Sequence, residues 1–475
     1  MSLLPEVDAN MAVAQRSYVP IGEVTTLLTN SSLTAGNARI LIYSYHDHGI
    51  LNESLIPPVT ELARGREISA VSQTTHDVDL TIKFPTLDLQ FQIIYDPGID
   101  DCLFVNQSSI GVRLFKLGSS YAPIVVGKTE RRSIRPGFWR VAAHPELDIH
   151  DIFDFFLNER LFNVSIFEPN ISPAKRTADG LQIEPECTAS SREIIHKGAV
   201  PLLDLKDRET AAIETQYDDG SGTYQLQRFV QLGPLGLVKV LGYTGVSALD
   251  LPDIVGRWKA EKQLLGNIKH RNIVSLEAFD GRIFALYLEV LPLSLDRGYH
   301  SPFSSSDAHK ILVDMTSALA YLSSMRIVHN DIKPGNIAYS SERGAVLFDF
   351  GCACYIDEES NGGTACYLPP EYMENKGRGL PGDIWAMGVT MLYVLQKIGF
   401  PETLTKNWAF SNPHELIRVC EEENGARPQL KEWMEYLDNR RADLDQNAGV
   451  QKAVYQMLDG NRKSRAVAYS IIHST

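Results

Sequence analysis

The amino-acid sequence predicts an α+β protein with two parts of different character: a β-rich N-terminal part, and a C-terminal part in which helices follow strands. Residues 39–141 contain short strand-like runs between turn signals such as Asp96-Pro97-Gly98. From about residue 205, helical spacing of apolar residues replaces the strand patterns. At 475 residues the chain exceeds what one hydrophobic core usually serves. We therefore expect two domains.

Residues 35–145 are predicted to form an antiparallel β-sandwich of short strands. Residues 77–84 alternate apolar and polar side chains, as a strand with one buried face should. Residues 150–161 place their apolar side chains at helical spacing, so we expect a short helix there. Residues 168–200 contain three prolines and many polar residues with little periodicity. This composition predicts a linker.

The bulk composition argues against several classes of partner. The net charge of −14 and the pI near 5.4 predict no nucleic-acid partner and no membrane partner. No apolar run approaches the ~18–20 residues that a spanning helix needs, and the N-terminus lacks the apolar region of a secretory signal. Six cysteines in a chain of this length do not make a disulfide framework. We therefore expect reduced thiols and a cytoplasmic or nuclear location.

One short stretch, residues 329–336, carries most of the chemical information. It combines an acid, Asp331, with a lysine, Lys333, and an amide, Asn336. Thirteen residues after Asn336 a second carboxylate begins the sequence Asp349-Phe350-Gly351. Carboxylate and amide oxygens are the hard ligands that Mg²⁺ prefers. Phosphoryl transfer needs this kind of positioned charge and little covalent chemistry from the protein.

These residues, in this order and spacing, resemble the catalytic loop and metal-binding triplet of eukaryotic protein kinases of the Ser/Thr class. The resemblance covers roughly residues 205–475. It implies a two-lobed kinase fold after the β-sandwich, the cofactors ATP and Mg²⁺, and a protein substrate that carries Ser or Thr. By the same resemblance Asp331 orients the substrate hydroxyl, Lys333 neutralises the transferring phosphate, and Asn336 and Asp349 bind metal.

Upstream residues resemble the nucleotide-binding elements of the same family. Lys239 lies in an apolar strand and resembles the lysine that grips the α and β phosphates of ATP. Glu261 lies in a helical pattern nine residues before His270 and resembles the glutamate that pairs with this lysine. For Lys239 alone, an edge or snorkelling lysine is the alternative.

Two further nucleotide contacts follow from the resemblance. Gly220 and Gly222 occupy the place of the glycine-rich loop, although the full G-x-G-x-x-G pattern is absent. An ordinary hairpin turn is the alternative for these two residues. Glu289 and Leu291 resemble the hinge, whose backbone groups contact adenine. A plain core strand is the alternative there.

Other positions downstream match the family pattern with one departure. Thr364 resembles the threonine that bonds the catalytic aspartate and lysine, and Asp383 the aspartate that braces the loop. Glu371 and Arg465 resemble an ion pair of the large lobe. Asn330, however, stands where many kinases have an arginine that pairs with a phosphorylated activation segment. We therefore expect activity to be controlled elsewhere, for example by the N-terminal part.

Residues 103–109 and 134–141 distantly resemble a forkhead-associated domain, which reads phosphothreonine. Arg64-Gly65-Arg66-Glu67 resembles the Gly-Arg start of that domain. Asn106-Gln107 replaces its asparagine-glycine pair, and the serine-histidine pair is not evident. The resemblance implies a phosphoprotein partner. The alternative is a sandwich that only packs or binds protein.

Three alternatives to an active protein kinase stay open. One is a pseudokinase or scaffold that binds proteins through the sandwich. Another is a small-molecule phosphotransferase, although such enzymes lack the segment from Asp349 to Glu371 and the helix of Asp383. The third is a phosphopeptide adaptor. An active enzyme is favoured because all five family residues that a dead kinase tends to lose are present: Lys239, Glu261, Asp331, Asn336 and Asp349.

Overall fold

The computed structural model describes most of the N-terminal part, a few strands of the middle part and most of the C-terminal part. The described residues are 21–30, 38–45, 50–51, 59–63, 66–71, 77–96, 101–118, 122–143, 151–159, 161–167, 191–197, 210–215, 224–227, 238–240, 251–281, 284–358, 362–372, 379–408 and 426–472.

The described residues of the N-terminal part form one α-helix and two antiparallel sheets. One sheet has the strand order β3-β4-β1-β12-β11-β8-β9, and the second has the order β10-β7-β6-β5-β2. Every pair of neighbouring strands in both sheets is antiparallel, so the predicted antiparallel architecture is confirmed. The elements are α1 (Ile21–Asn30), β1 (Ile40–Ser44), β2 (Ile50–Leu51), β3 (Val59–Ala63), β4 (Arg66–Val71), β5 (Asp79–Phe84), β6 (Leu89–Tyr95), β7 (Cys102–Asn106), β8 (Val112–Lys116), β9 (Ile124–Val126), β10 (Arg131–Ile134), β11 (Gly137–Ala143) and β12 (Asp151–Leu157).

Aromatic side chains from both sheets fill the space between them. Phe91 of β6 packs on Phe153 of β12 with 5.6 Å between ring centroids, and Phe84 of β5 lies at the same distance from Phe153. All three rings are fully buried. Because they come from different sheets, they join the two sheets into one core.

The predicted helix over residues 150–161 is wrong, because Asp151–Leu157 forms the strand β12. This strand lies between β1 and β11 in the middle of its sheet, beyond the predicted sandwich boundary at residue 145. Both of its faces are covered, and its apolar run therefore lacks simple alternation. A short apolar run of this kind does not distinguish a buried strand from a helix by spacing alone. Its aromatic side chains favour the sheet.

A buried ion pair explains the polar residue in the middle of this strand. Asp154 accepts hydrogen bonds from Arg140 Nε at 2.8 Å and from the Tyr45 hydroxyl at 2.7 Å. The Asp154 side chain is completely buried. A buried carboxylate is tolerated when it is paired and hydrogen-bonded in this way.

The middle part contributes a four-stranded sheet with the order β14-β13-β15-β16. Its strand β14 lies inside the predicted linker 168–200, so that portion of the linker is a strand. Strands β15 and β16 lie after the predicted start of the kinase domain at residue 205, and they pair in this sheet. The strands are β13 (Leu161–Phe167), β14 (Ser191–Lys197), β15 (Thr210–Thr215) and β16 (Tyr224–Gln227).

In the described residues of the C-terminal part, a small lobe of three strands and one helix precedes a larger, mainly helical lobe. The small-lobe sheet has the order β17-β19-β18. Its elements are β17 (Val238–Val240), α2 (Leu251–Asn267), β18 (Leu276–Asp280) and β19 (Ala285–Leu288). The larger lobe contains α3 (Ser305–Ser324), β20 (Ile327–Val328), β21 (Ile337–Ser340), β22 (Gly344–Leu347), β23 (Cys354–Tyr355), α4 (Leu380–Val394), α5 (Pro401–Leu404), α6 (Ala426–Ala442), α7 (Gly449–Met457) and α8 (Ala468–Ile472).

Local sequence fixes the start of α3, the long helix of the larger lobe. Ser304 Oγ accepts from the Asp307 backbone amide at 3.2 Å, and the Asp307 carboxylate accepts from the Ser304 amide at 3.0 Å. This reciprocal capping box satisfies amides that would otherwise lack partners. None of the helices in the described ranges is long and apolar enough to cross a membrane.

Candidate active site

One buried carboxylate binds the backbone of the loop that carries Asp331. Asp383, in the first turn of α4, accepts the backbone amide of His329 at 2.7 Å and that of Asn330 at 2.9 Å. His329 is fully buried, and its ring packs edge-on against Phe350 with 4.8 Å between centroids. The predicted brace is therefore present. It fixes the backbone immediately before Asp331.

Three predicted catalytic-loop residues and Thr364 form one network around the Asp331 carboxylate. Thr364 Oγ1 donates to Asp331 Oδ1 at 2.7 Å, and Lys333 Nζ lies 2.9 Å from Asp331 Oδ2. Lys333 also donates to Thr364 Oγ1 at 2.8 Å. The Asn336 amide donates to Asp331 Oδ2 at 2.9 Å. The carboxylate is thus held in one orientation by three side chains from two segments.

The charge state of Lys333 follows from two opposing effects. Burial disfavours the ammonium ion, but the charge and hydrogen bond of Asp331 outweigh it and hold the pKa of Lys333 above its ordinary value. Lys333 is therefore a cation at neutral pH. It lies close to the carboxylate that would face a reacting hydroxyl.

The two predicted metal ligands lie on adjoining backbone. The amide of Phe348 donates to the Asn336 carbonyl at 3.0 Å, which brings Asn336 next to Asp349. Asp349 adopts a left-handed conformation with φ of +64° and caps the single turn 350–352. The side-chain nitrogen of Asn336 donates to the backbone carbonyl and the carboxylate of Asp331, so the amide oxygen is the group of this side chain that would bind a cation. One amide oxygen and one carboxylate suit the coordination preferences of Mg²⁺.

Of the predicted nucleotide-binding residues, two lie in the elements that the sequence indicated. Lys239 lies in β17, opposite Leu286 of β19, and its side chain is outside the described part of the structure. Glu261 lies in α2 with a buried side chain. Gly220 and Gly222 fall outside the described residues. The roles of these four residues stay predictions.

The predicted hinge begins where β19 ends at Leu288. The amide of Glu289 donates to the Ser275 carbonyl at 3.1 Å, and its carboxylate accepts the Ser275 amide at 3.0 Å. Arg343 also contacts this carboxylate at 3.3 Å. Because the Glu289 amide is already bonded to Ser275, the Glu289 carbonyl is the backbone group that would contact adenine. Leu291 is buried, and its predicted contact with adenine stays a prediction.

Asn330 makes a contact that sequence reasoning missed. Its backbone is left-handed, with φ of +65°, a conformation that asparagine tolerates better than most residues. Its side-chain amide donates to the Cys352 carbonyl and to Cys354 Sγ, both at 3.2 Å. Close by, β20 pairs with β23, the strand that contains Cys354. The asparagine therefore ties the catalytic loop directly to the segment after Asp349.

Glu402 is a second residue that sequence reasoning missed. It lies in the short helix α5, and its carboxylate accepts the hydroxyl of the buried Tyr367 at 2.8 Å. Burial raises the pKa of Glu402 above its ordinary value. Its charge also contributes to the raised pKa of Lys333. No local pattern marks Pro401-Glu402 as more than a helix start, so the sequence carries no signal for this contact.

The predicted ion pair of the large lobe is present. Arg465 donates to both carboxylate oxygens of Glu371, each at 2.8 Å, and its guanidinium lies over the Trp385 ring. The Arg465 side chain is completely buried. This contact anchors the end of the segment that carries Thr364 to the last turns of the chain.

A family model described as the protein kinase domain matches residues 251–475. This range contains Glu261 and the whole network around Asp331, together with Asp349, Asp383 and the Glu371–Arg465 pair. Residues 251–475 are therefore similar to the protein kinase domain.

Curated proteins similar to this chain include several protein kinases. The cAMP-dependent protein kinase catalytic subunit PRKX of Mus musculus is 28% identical over 259 residues, which cover 51% of this chain and 66% of that protein. Calcium/calmodulin-dependent protein kinase type 1B of Rattus norvegicus is 29% identical, covering 40% of this chain and 60% of its own length. Serine/threonine-protein kinase PLK4 of Drosophila grimshawi is 30% identical, covering 29% and 20%. The chain thus spans between a fifth and about two thirds of these relatives.

Replacing Arg465 with alanine should lower the free energy of unfolding by about 3–5 kcal/mol, because it leaves the Glu371 carboxylate buried without its partner. Arg326→Ala is the matched control. Arg326 also contacts a carboxylate at 2.8 Å, that of Asp357, but both side chains are mostly exposed. The control should therefore lose less than about 1 kcal/mol. Urea unfolding of both variants tests the prediction, and equal losses would contradict it.

Proposed function

We propose that this protein is a serine/threonine protein kinase that transfers the γ-phosphate of MgATP to protein hydroxyl groups. The observation that carries the proposal is the network around Asp331, in which Thr364 donates to one carboxylate oxygen and Lys333 and Asn336 contact the other. The kinase relatives named above agree with this activity.

Each residue of the network has a defined task in this reaction. Asp331 accepts the proton of a serine or threonine hydroxyl and aims its oxygen at the γ-phosphorus. Lys333 balances the negative charge that spreads over the phosphoryl oxygens as the bond to ADP breaks. Thr364 holds the two side chains at hydrogen-bond distance from each other.

Asn336 and Asp349 would hold Mg²⁺ through an amide oxygen and a carboxylate. When bound, this cation neutralises charge on the β and γ phosphates. Lys239 and Glu261 would complete the phosphate side of the site, and the hinge at Glu289 and Leu291 the adenine side. Gly220 and Gly222 would cover the phosphates.

Transfer of labelled phosphate from MgATP to the protein itself and to a generic basic protein tests the proposal. Wild type should incorporate label, and Asp331→Ala and Asp349→Ala should each lower the initial rate by at least about 100-fold. Asp357→Ala is the matched control, because Asp357 lies in the segment that begins at Asp349 and its side chain is exposed. It should transfer phosphate at the wild-type rate.

Failure of folded wild type to transfer phosphate to either acceptor would contradict the proposal. A thermal shift with MgATP in that same sample would then favour a pseudokinase that binds nucleotide. Transfer that survives both Asp331→Ala and Asp349→Ala would equally contradict the assigned site.

We also propose a phosphoprotein partner for the N-terminal sandwich. A cleft of about 420 Å³ opens beside two lysines, Lys83 and Lys128, and is also lined by Ser109. Asn106 ties together the loops that flank it by donating to the carbonyls of Ile110 and Gly127. Ammonium and hydroxyl groups are suited to phosphate oxygens. One acid, Asp88, also lines the cleft.

Binding of one peptide with and without phosphothreonine, followed by fluorescence anisotropy on the full chain, tests this second proposal. The phosphorylated peptide should bind more tightly, and Lys128→Ala should weaken it by about tenfold or more. Arg132→Ala is the control, since this exposed arginine lies outside the cleft. Equal binding of the two peptides would contradict the proposal.

A further inference from the structure

The outer face of the second sheet of the sandwich is buried at one end. Asp79, Ile94 and Leu103 lie side by side there, because Asp79 pairs with Ile94 and Ile94 pairs with Leu103. Their sequence neighbours Ile93 and Phe104 point into the sandwich core. Successive side chains of a strand point to opposite faces, so Asp79, Ile94 and Leu103 point outward. All three are buried, although this face lies outside the sandwich core.

The element that covers this face is α2 of the small lobe. Leu251, Val255 and Trp258 recur at the spacing of one helix face and join Ile94 and Leu103 in a single buried cluster. Trp258 is completely buried in this cluster. The sandwich therefore supplies one wall of the apolar environment of α2.

Charges at the edge of the cluster are complementary. Lys259 of α2 lies 2.5 Å from the carboxylate of Asp79, whose side chain is buried. Lys262, one turn further along α2, lies over the rings of Trp258 and Phe279 and is attracted by Asp77. Two acids of the sandwich thus face two lysines of the helix. Such an arrangement fixes the register of one element on the other.

An adjacent face of α2 points into the kinase site. Leu264 and Leu265 belong to the same core cluster as Phe350, and α2 lies against the turn formed by residues 350–352. Glu261 is buried on this side of the helix. A movement of α2 would therefore displace both Glu261 and the turn that follows Asp349.

We propose that the sandwich is a positioning element of the kinase site, and that Asp79 and Ile94 are positioning residues that fix α2. Through α2 they set the place of Glu261 and of the turn after Asp349. The inference rests on the proposed kinase function and extends it. The outer face of the second sheet, rather than a separate partner protein, supplies the docking surface for this helix.

A charge reversal and its compensation test the inference in the full chain. Asp79→Lys places a third cation beside Lys259 and Lys262. Amide hydrogen exchange of residues 251–267 should then quicken by roughly two- to thirtyfold. The KM for MgATP should rise by a factor in the same range, while the KM for the protein substrate stays unchanged. Adding Lys259→Asp restores an opposite charge pair and should return both values toward wild type.

Two further variants keep the test decisive. Arg132→Glu is the matched control, because Arg132 is an exposed residue on β10 at the edge of the same sheet, and it should change neither value. Asp79→Asn removes the charge without adding a cation, so it serves if the reversal prevents folding. Its effect should have the same direction and a smaller size.

Unchanged exchange of residues 251–267 in Asp79→Lys would overturn the inference, as would a double variant that is no closer to wild type than the single one. If wild type itself transfers no phosphate, the proposed kinase function fails. The exchange measurement still decides whether the sandwich fixes α2, because it needs no activity.

Discussion

The arrangement of the site depends on one buried carboxylate, Asp383. By accepting two successive backbone amides, it fixes the loop conformation at His329 and Asn330. Asn330 has a left-handed backbone conformation at this point, and the next residue, Asp331, contacts Thr364 and Lys333. Asp383 lies buried in the first turn of α4 and accepts two backbone amides. Its position is therefore rigid, because moving it would leave several polar groups without partners. The catalytic network is therefore preorganised by elements that do not themselves touch a substrate.

Contacts around the site also link the two parts of the chain. Asn330 ties the catalytic loop to the segment after Asp349 by neutral hydrogen bonds, without the arginine that would need a phosphate. The helix α2 is packed against both the turn 350–352, which contains Cys352, and the outer face of the sandwich. In many kinases a phosphorylated activation segment controls activity. In this chain the placement of α2 is a physical alternative for that control.

Local motifs made the catalytic loop predictable, whereas contacts between distant segments were not. Asp331, Lys333 and Asn336 lie within six residues, so their spacing alone brings them together. Residues 150–161 predict a helix because their apolar side chains recur at helical spacing. So short a run does not distinguish a helix from a strand, and pairing with β1 and β11 makes residues 151–157 a strand. Ile94 looks like any strand residue in the sequence. Its role depends on the register of β5, β6 and β7, which no local pattern encodes.

We expect the site to assemble without a phosphate on the segment after Asp349, because Asn330 ties this segment to the catalytic loop. The most direct test is the initial rate of phosphate transfer to a protein acceptor before and after complete phosphatase treatment, with the phosphatase removed and dephosphorylation verified by mass spectrometry. Both samples should show the same initial rate, because Asn330 contacts Cys352 and Cys354 through neutral hydrogen bonds. Loss of activity on treatment, with recovery as the protein phosphorylates itself again, would contradict it.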